Sequence, residues 1–490
     1  MRSMSLHDPA VNSRLVPGAR PPDDAHPTSA SWLLPTMVLG FFIASLARQA
    51  AKPISDFDTF WHIRLGDDIL ASRSVHAPTA SWSALSDRPW VPTQWLTEVV
   101  VAGVHEVAGL PGVAFLFATA LFALTWLIHR LCRGRAGATA AAMTTGLTVV
   151  AMSGSLSPRP HLATYLLLAV TLIGWLRTAD DLRPRWWLVP LTWVWAMSHG
   201  MWFTGPLLGL VVIGGLVADR RVTRAQATPL MVVPLLSIVV AGLTPVGPAL
   251  WGTPFAVAGV GSFITEWQAP SFRMVGPAAA MALVALVTLV WSRRQERASW
   301  VEIGVLLLGT AWILLAARTV ALGGLLVAPL AASALQTLVG RPRDVPSRAE
   351  RRVIAGWMLL CLAAVGLAVP STAATPAAVP TALDADLHDL PDGSVVLNSY
   401  QLGGWLRWAH PDLEPVVDGM TEAYSVDHLS DYQRVYALMP GWHEIVEAYD
   451  ASYALVEEQS PLAEALRDKR WTTLAEAEGY LLLQRAATPY

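Results

Sequence analysis

Residues 33–70 read LLPTMVLGFFIASLARQAAKPISDFDTFWHIRLGDDIL. An apolar run from Leu33 to Ala47 is followed, after a short basic step at Arg48 and Lys52, by two carboxylates, Asp56 and Asp58. A hydrocarbon core of about 30 Å takes roughly 20 mostly apolar residues per helix, so the run is a first membrane span and the acids fall at its boundary. Carboxylates at that depth are costly and mark function by default. From Asp58 onward the spacing is helical, with Phe60, Trp61, Leu65 and Ile69 expected on a membrane interface and Asp58 and His62, four apart, on another face. Asp56 and Asp58 are two residues apart, which on a helix turns them about 200° from each other. Both reach one ligand only if the helix begins between them, one acid then being the reacting group and the other a cap or a supporting partner.

The whole chain has this character. Of 490 residues 53% are hydrophobic and 14% charged, against about 25% charged in a soluble domain. That excludes a disordered chain, a highly charged nucleic-acid binder and an ordinary cytosolic enzyme. Cys132 and Cys361 are the only cysteines, too few for a disulfide framework or a four-ligand zinc site. Further spans are expected near 111–130, 137–153, 160–176, 186–198, 203–218, 229–244, 277–292, 300–316, 320–338 and 353–370, eleven with the first at 32–47. Seventeen arginines crowd the loops after every second span, among them Arg130, Arg133, Arg135, Arg177, Arg343 and Arg351, whereas the alternate loops hold eight basic residues. The positive-inside rule makes the first set cytoplasmic. The expected architecture is a mainly α, polytopic membrane protein of the plasma (inner) membrane. It comprises a cytoplasmic N-terminal tail (1–31), a transmembrane module (32–370) with an outer loop at 49–110, and a small extracytoplasmic α/β domain (371–490).

In the outer loop, QWLTEVVVAGVHEVAGL (94–110) is too polar for a span and reads as a helix along the membrane surface carrying Glu98. In the tail, SVVLNSY, PVVDG, YALVEE and GYLLLQR read as strands. DHLSDYQRVYALMPGWHEIVEAY (427–449) and SPLAEALRDKRW (460–471) read as helices, the second capped by Ser460. Alternation of this kind suggests a partly parallel sheet.

A set of segments carries a resemblance. DFDTFWHIRLGDDIL (56–70), RPWVPTQWLTE (88–98), SPRPHLATYLLL (157–168), the SHG of WAMSHGMW (195–202), FITEWQAPSF (263–272) and VVLNSYQLGGWLRW with VVDGMTEAY (395–424) resemble bacterial membrane proteins related to the GT-C class of glycosyltransferases. That class includes protein mannosyltransferases and aminoarabinose transferases. The resemblance implies a GT-C-like fold, a polyprenyl-phosphate-linked sugar donor, an extracytoplasmic glycan, lipid or protein acceptor, and inverting transfer with Asp58 or Asp56 as general base. Met420 stands where sequences of that group carry arginine.

Such transfer needs a carboxylate to take the acceptor proton, cationic donors for the leaving phosphate and a groove for the prenyl chain. The outer ends of the spans offer Arg318, Arg159, His161 and Arg273 for phosphate; the arginine fork suits that anion. His62, Glu98, His199, Glu266 and Trp267 are candidate substrate-binding residues. Trp267 could stack on a sugar and Glu266 bind hydroxyls. Oxygen ligands from Asp56, Asp58 and Glu266 suit Mg²⁺ or Mn²⁺, although no ligand spacing requires a metal. Membrane lipids are expected partners and nucleic acid is not. The alternative is a non-catalytic transporter or scaffold for envelope assembly; apolar span centres, with polar residues gathered on one side, favour surface chemistry.

Overall fold

The computed structural model describes residues 32–76, 83, 85–86, 88, 90–253, 261, 263–340 and 343–486. The expected N-terminal tail, 1–31, lies outside them. Helices occupy every expected span: Leu33–Ala50 (α1), the second part of Trp95–Arg133 (α3), Ala138–Met152 (α4), His161–Asp181 (α5), Leu188–Ser198 (α6), Thr204–Ala218 (α7), Arg224–Ala241 (α8), Val275–Ser292 (α9), Trp300–Leu315 (α10), Val320–Val339 (α11) and Arg348–Thr372 (α12). Asp58–Ser72 forms α2 ahead of α3.

The chain is a multi-pass membrane protein, and the helices at the eleven expected places differ in length. Among the described residues eight helices are long and apolar enough to cross a membrane, while α6 and α10 are apolar and shorter and α4 has 15 residues. The reason is local. Extended backbone at His199 (φ −170°, ψ 144°) stops α6 after 11 residues, about 17 Å of helix. Ala316 (φ −158°, ψ 157°) stops α10 in the same way, and α4 gives way to a 3₁₀ turn at Ser153–Ser155. All three stops lie at the same end of the bundle, since each of these helices is followed by one running back.

Helix α3 is divided at Gly109, whose φ of +61° and ψ of −161° no side-chain-bearing residue takes cheaply. Pro111 opens the next segment, so a first piece lies beside α2 and a second continues into the bundle.

The tail holds a five-stranded sheet, order β2-β1-β3-β5-β4, built from Val395–Asn398 (β1), Glu414–Pro415 (β2), Tyr453–Glu457 (β3), Thr472–Ala477 (β4) and Tyr480–Gln484 (β5). β1 runs parallel to β2 and β3, while β5 is antiparallel to both β3 and β4. Asp384–His388 (α13) leads into the sheet, and Tyr400–Ala409 (α14) follows β1, over a stretch to which the sequence reading assigns no helix. The single helix expected over 427–449 is two, Val426–Tyr436 (α15) and Trp442–Ala448 (α16), broken at Pro440 between Leu438 and Gly441, both with positive φ. Pro461–Asp468 (α17) is capped by the Ser460 hydroxyl, which accepts from Ala463 N at 3.2 Å.

α2 is held from both sides. Trp61, Leu65 and Ile69 share a core with Leu397, Val416, Val417 and Met420 of the tail. Phe60 and Ile63 share a second with Val101 of α3 and with Leu402, Trp405 and Leu406 of α14. Phe60, Trp61, Leu65 and Ile69, expected to face lipid, are therefore buried in protein. Two apolar clusters remove more of their surface from water than one interfacial face would. α3 approaches α2 closely at Gly66, where a Cβ would clash with the Glu98 carbonyl and come within 2.6 Å of Ala102 Cβ. Gly66→Val should force the helices apart at a cost of about 1–3 kcal/mol, lowering the melting temperature of the detergent-solubilised chain; an unchanged value would refute this packing.

Candidate active site

The site forms where the short helices stop. α2 begins at Asp58, and Asp56, just outside it, accepts the Asp58 backbone N–H at 3.1 Å through Oδ1. The helix thus starts between the two acids, and both converge on Arg159 from the α4–α5 connection. Arg159 Nε donates to both Asp56 carboxylate oxygens at 2.7 Å. Its Nη1 lies 2.7 Å from Asp58 Oδ2 and donates to Glu266 Oε1 at 2.8 Å. The backbone is fixed from the same side, since Thr59 Oγ1 donates to Pro158 O at 3.2 Å.

Asp58 is the least ordinary of the three acids. Trp61 Nε1 donates to its Oδ1 at 3.1 Å. Burial drives its pKa up from 3.8 to about 6, Arg159 opposing the shift and the neighbouring Asp56 and Glu266 charges adding to it. A carboxylate that takes protons near pH 6 is well matched to general-base work.

Glu266 links this cluster to a second cation. Arg318, in the 3₁₀ turn Ala317–Thr319 after α10, places Nη1 3.8 Å from Glu266 Oε2. Its guanidinium carbon lies 5.6 Å from the centre of the Trp267 ring, a cation–π arrangement. Ala317 N donates to Gln268 O at 2.9 Å and ties the two turns together. Arg318 Nη2 also lies 3.4 Å from His199 Nε2. On the other side of that ring, the Met201 backbone N–H donates to Nδ1 at 3.3 Å. Thr164, which accepts the Trp195 indole N–H at 2.8 Å, sits 2.9 Å from the same Nδ1. With Nδ1 accepting, the ring proton is on Nε2. Two donors, Nε2–H and a guanidinium, therefore face each other, an arrangement that an anion between them would satisfy.

The other sequence candidates are placed differently. His161 Nε2 donates to Ser155 O at 2.6 Å, leaving the lone pair of Nδ1 buried without a partner among the described residues. As arranged, it offers a phosphate no proton. His62 and Glu98 are both buried and joined, Nδ1 to Oε1, at 2.8 Å, bracing α2 against α3. Burial, with Arg159 and Arg318 next in weight, holds the His62 pKa well below its usual value, so the ring is neutral. Arg273 is exposed and in no ion pair among the described residues.

Residues that sequence reasoning did not place here come from the tail. A Cβ on Gly419 would clash with Asp58 Oδ1 and Trp61 Nε1, and one on Gly404 would sit 2.7 Å from Phe57 O. The tail therefore lies directly on the start of α2, and only glycine admits that contact. Nearby, Tyr400 shares a hydrogen bond with Thr421 at 2.9 Å, and the Asp58 charge is among the causes raising its pKa. Burial also raises the Glu422 carboxyl, which Arg318 draws the other way. The available signal was the pair of glycine-bearing segments LGGW and VVDG within one tail.

No protein-family model and no curated protein matches the sequence. Solved structures do. The archaeal oligosaccharyltransferase AglB from Archaeoglobus fulgidus, in complex with an inhibitory peptide and a dolichol-phosphate, superposes with TM-score 0.54 and 10% identity, over 87% of this chain and 69% of that one. ArnT from Cupriavidus metallidurans bound to undecaprenyl phosphate gives 0.50 and 13%, over 94% and 99%. The chain has a GT-C fold. A further GT-C structure, the Archaeoglobus fulgidus oligosaccharyltransferase in complex with Zn and sulfate, gives 0.50 and 12% over 86% and 68%. Here Asp56, Asp58 and Glu266 close instead on one guanidinium, and among the described residues no group of His, Cys, Asp and Glu is arranged to hold a metal. The donor set does not fit Mg²⁺ or Mn²⁺ while Arg159 occupies its centre.

Arg159→Gln would leave three carboxylates facing one another at a cost on the order of 3 kcal/mol. The variant should melt well below wild type at pH 8 and recover part of the difference at pH 5, where carboxyl protonation relieves the repulsion. A deficit independent of pH would contradict this account.

Proposed function

We propose that the chain transfers a sugar from a polyprenyl-phosphate-linked donor to an extracytoplasmic acceptor, inverting the anomeric centre, with Asp58 as general base. The observation that carries this reading is the Asp58 carboxylate, oriented by Trp61 and Arg159 and able to accept a proton near pH 6. It belongs to a network that continues through Glu266 to Arg318 and His199. The acceptor oxygen or nitrogen attacks the anomeric carbon as its proton passes to Asp58. The bond between that carbon and the phosphate oxygen breaks, and lipid phosphate leaves with the electron pair. Charge growing on that oxygen is met by the Arg318 guanidinium and the His199 Nε2–H. A single displacement inverts configuration.

Asp56 positions Arg159 and caps α2 rather than meeting substrate. Tyr400, Thr421 and Glu422 bring the acceptor side from the tail. The fold of AglB and ArnT, whose solved complexes hold dolichol-phosphate and undecaprenyl phosphate, supports a lipid-phosphate donor.

Reconstituted chain given radiolabelled polyprenyl-phosphate sugars tests the reading. Asp58→Asn should lower transfer by at least 100-fold, since general acid–base catalysis contributes about 10²–10⁴. Asp56→Asn should cost less, through a loosened Arg159. Unchanged transfer in both would leave the scaffold alternative. Because only the carboxylate form accepts the proton, wild-type activity should fall as pH drops through about 6. Trp61→Phe removes a hydrogen bond that lowers this pKa and should move the acid limb upward. Chelation with EDTA should leave the rate unchanged, and a loss restored by Mg²⁺ or Mn²⁺ would refute the guanidinium-centred site.

A further inference from the structure

At the end of the bundle opposite Asp58, a cavity of about 460 Å³ opens between the ends of α3, α5 and α12. Arg177, near the far end of α5, is 16 residues from His161 at the active-site end, roughly 24 Å along the axis. Six arginines and two acids line it. The floor is rigid. Arg133, buried, donates through Nε and Nη2 to the two Glu350 oxygens, both at 2.7 Å, and through Nη1 to Ala136 O and Asp344 O at 3.1 and 3.0 Å. Glu350 is thereby used up. The other acid, Asp180, is exposed and lies 3.6 Å from Arg135.

Arg343 donates through Nη2 to the Arg133 and Gly134 carbonyls at 3.3 and 2.6 Å. Arg130, Arg177 and Arg351 remain, one from each of three helices, exposed and in no ion pair among the described residues. Arginines that only fix topology need not converge on a cavity. Here they ring one whose wall is apolar, with Trp126, Ile173, Leu176 and Ile354. A free anion has no use for such a wall, whereas a lipid sets a phosphate among guanidinium forks and its glycerol and first methylenes along the helix faces.

We propose that this cavity is a binding site for the phosphodiester headgroup of an anionic membrane phospholipid, distinct from the lipid-phosphate donor site at the other end. The proposal does not depend on the transferase reading, and its test needs no sugar transfer. The full chain in neutral detergent is titrated with phosphatidylglycerol or phosphatidylcholine, and bound lipid is read by native mass spectrometry. Wild type should hold phosphatidylglycerol at least tenfold more tightly than phosphatidylcholine. In Arg130→Ala/Arg177→Ala/Arg351→Ala that preference should vanish. It should persist in Arg221→Ala/Arg293→Ala/Arg297→Ala, which removes as many exposed arginines from neighbouring loops. Should the first triple variant not fold, Arg177→Glu, one exposed side chain, reads the same loss. Inorganic phosphate at millimolar concentration should not displace the lipid. Undiminished preference in the cavity variants, equal loss in the loop variants, or full displacement by phosphate would each overturn the assignment.

Discussion

Arg159 holds three carboxylates that would otherwise repel one another, and much of the site's geometry follows from that. Its guanidinium binds Asp56, outside α2, and Asp58, the first residue within it, so it fixes where α2 begins. Through Glu266 it sets the distance to Arg318 on a different helix connection. The residues engaged come from four connections far apart in sequence. Few other pairings available to this chain could register them, since lysine presents a point charge rather than a planar fork.

The second constraint is steric. α2 is buried between the tail and α3, and glycines make both contacts, Gly66 toward α3 and Gly404 and Gly419 toward the tail. The helix that presents Asp58 is thus positioned by backbones at close range, with little freedom to tilt. At the membrane end the opposite device operates. α4, α6 and α10 end early, and the irregular backbone they leave carries Arg159, His199 and Arg318. Non-helical backbone at bilayer depth is tolerated where protein or a cavity surrounds it, so these stops and the polar cluster require each other.

Sequence alone showed the helical stretches, because span-length apolar runs are a strong signal. It also suggested that α2 starts between Asp56 and Asp58, because the alternative points the acids apart. Strand β4, Thr472–Ala477, escaped: it is mostly exposed, with no buried residue, and mixes Thr, Leu, Glu and Ala. α14 was hidden because the adjacent glycines of LGGW are poor helix formers, yet Gly404 is what lets Phe57 approach. The burial of Phe60 and Trp61 was illegible for a general reason. An apolar face shows that something covers it, but not whether that is lipid or a tail more than 330 residues away in sequence. The tautomer of His199 depends on Met201 N–H and Thr164, a relation that exists only once α5 and α6 are packed.

The contact between Gly419 and Asp58 makes proton binding and tail docking one equilibrium. Docking helps remove Asp58 from water, and that desolvation is the largest cause of its raised pKa. A tail lifted from α2 would return the carboxyl toward its ordinary acidity and release a proton between about pH 6 and pH 4. By linkage, the docked state binds more protons, so it tightens as pH falls through that window and loosens as pH rises. Any movement that parts tail from helix would thus also reset the charge of Asp58, tying the opening of this contact to the protonation of the carboxylate at its centre.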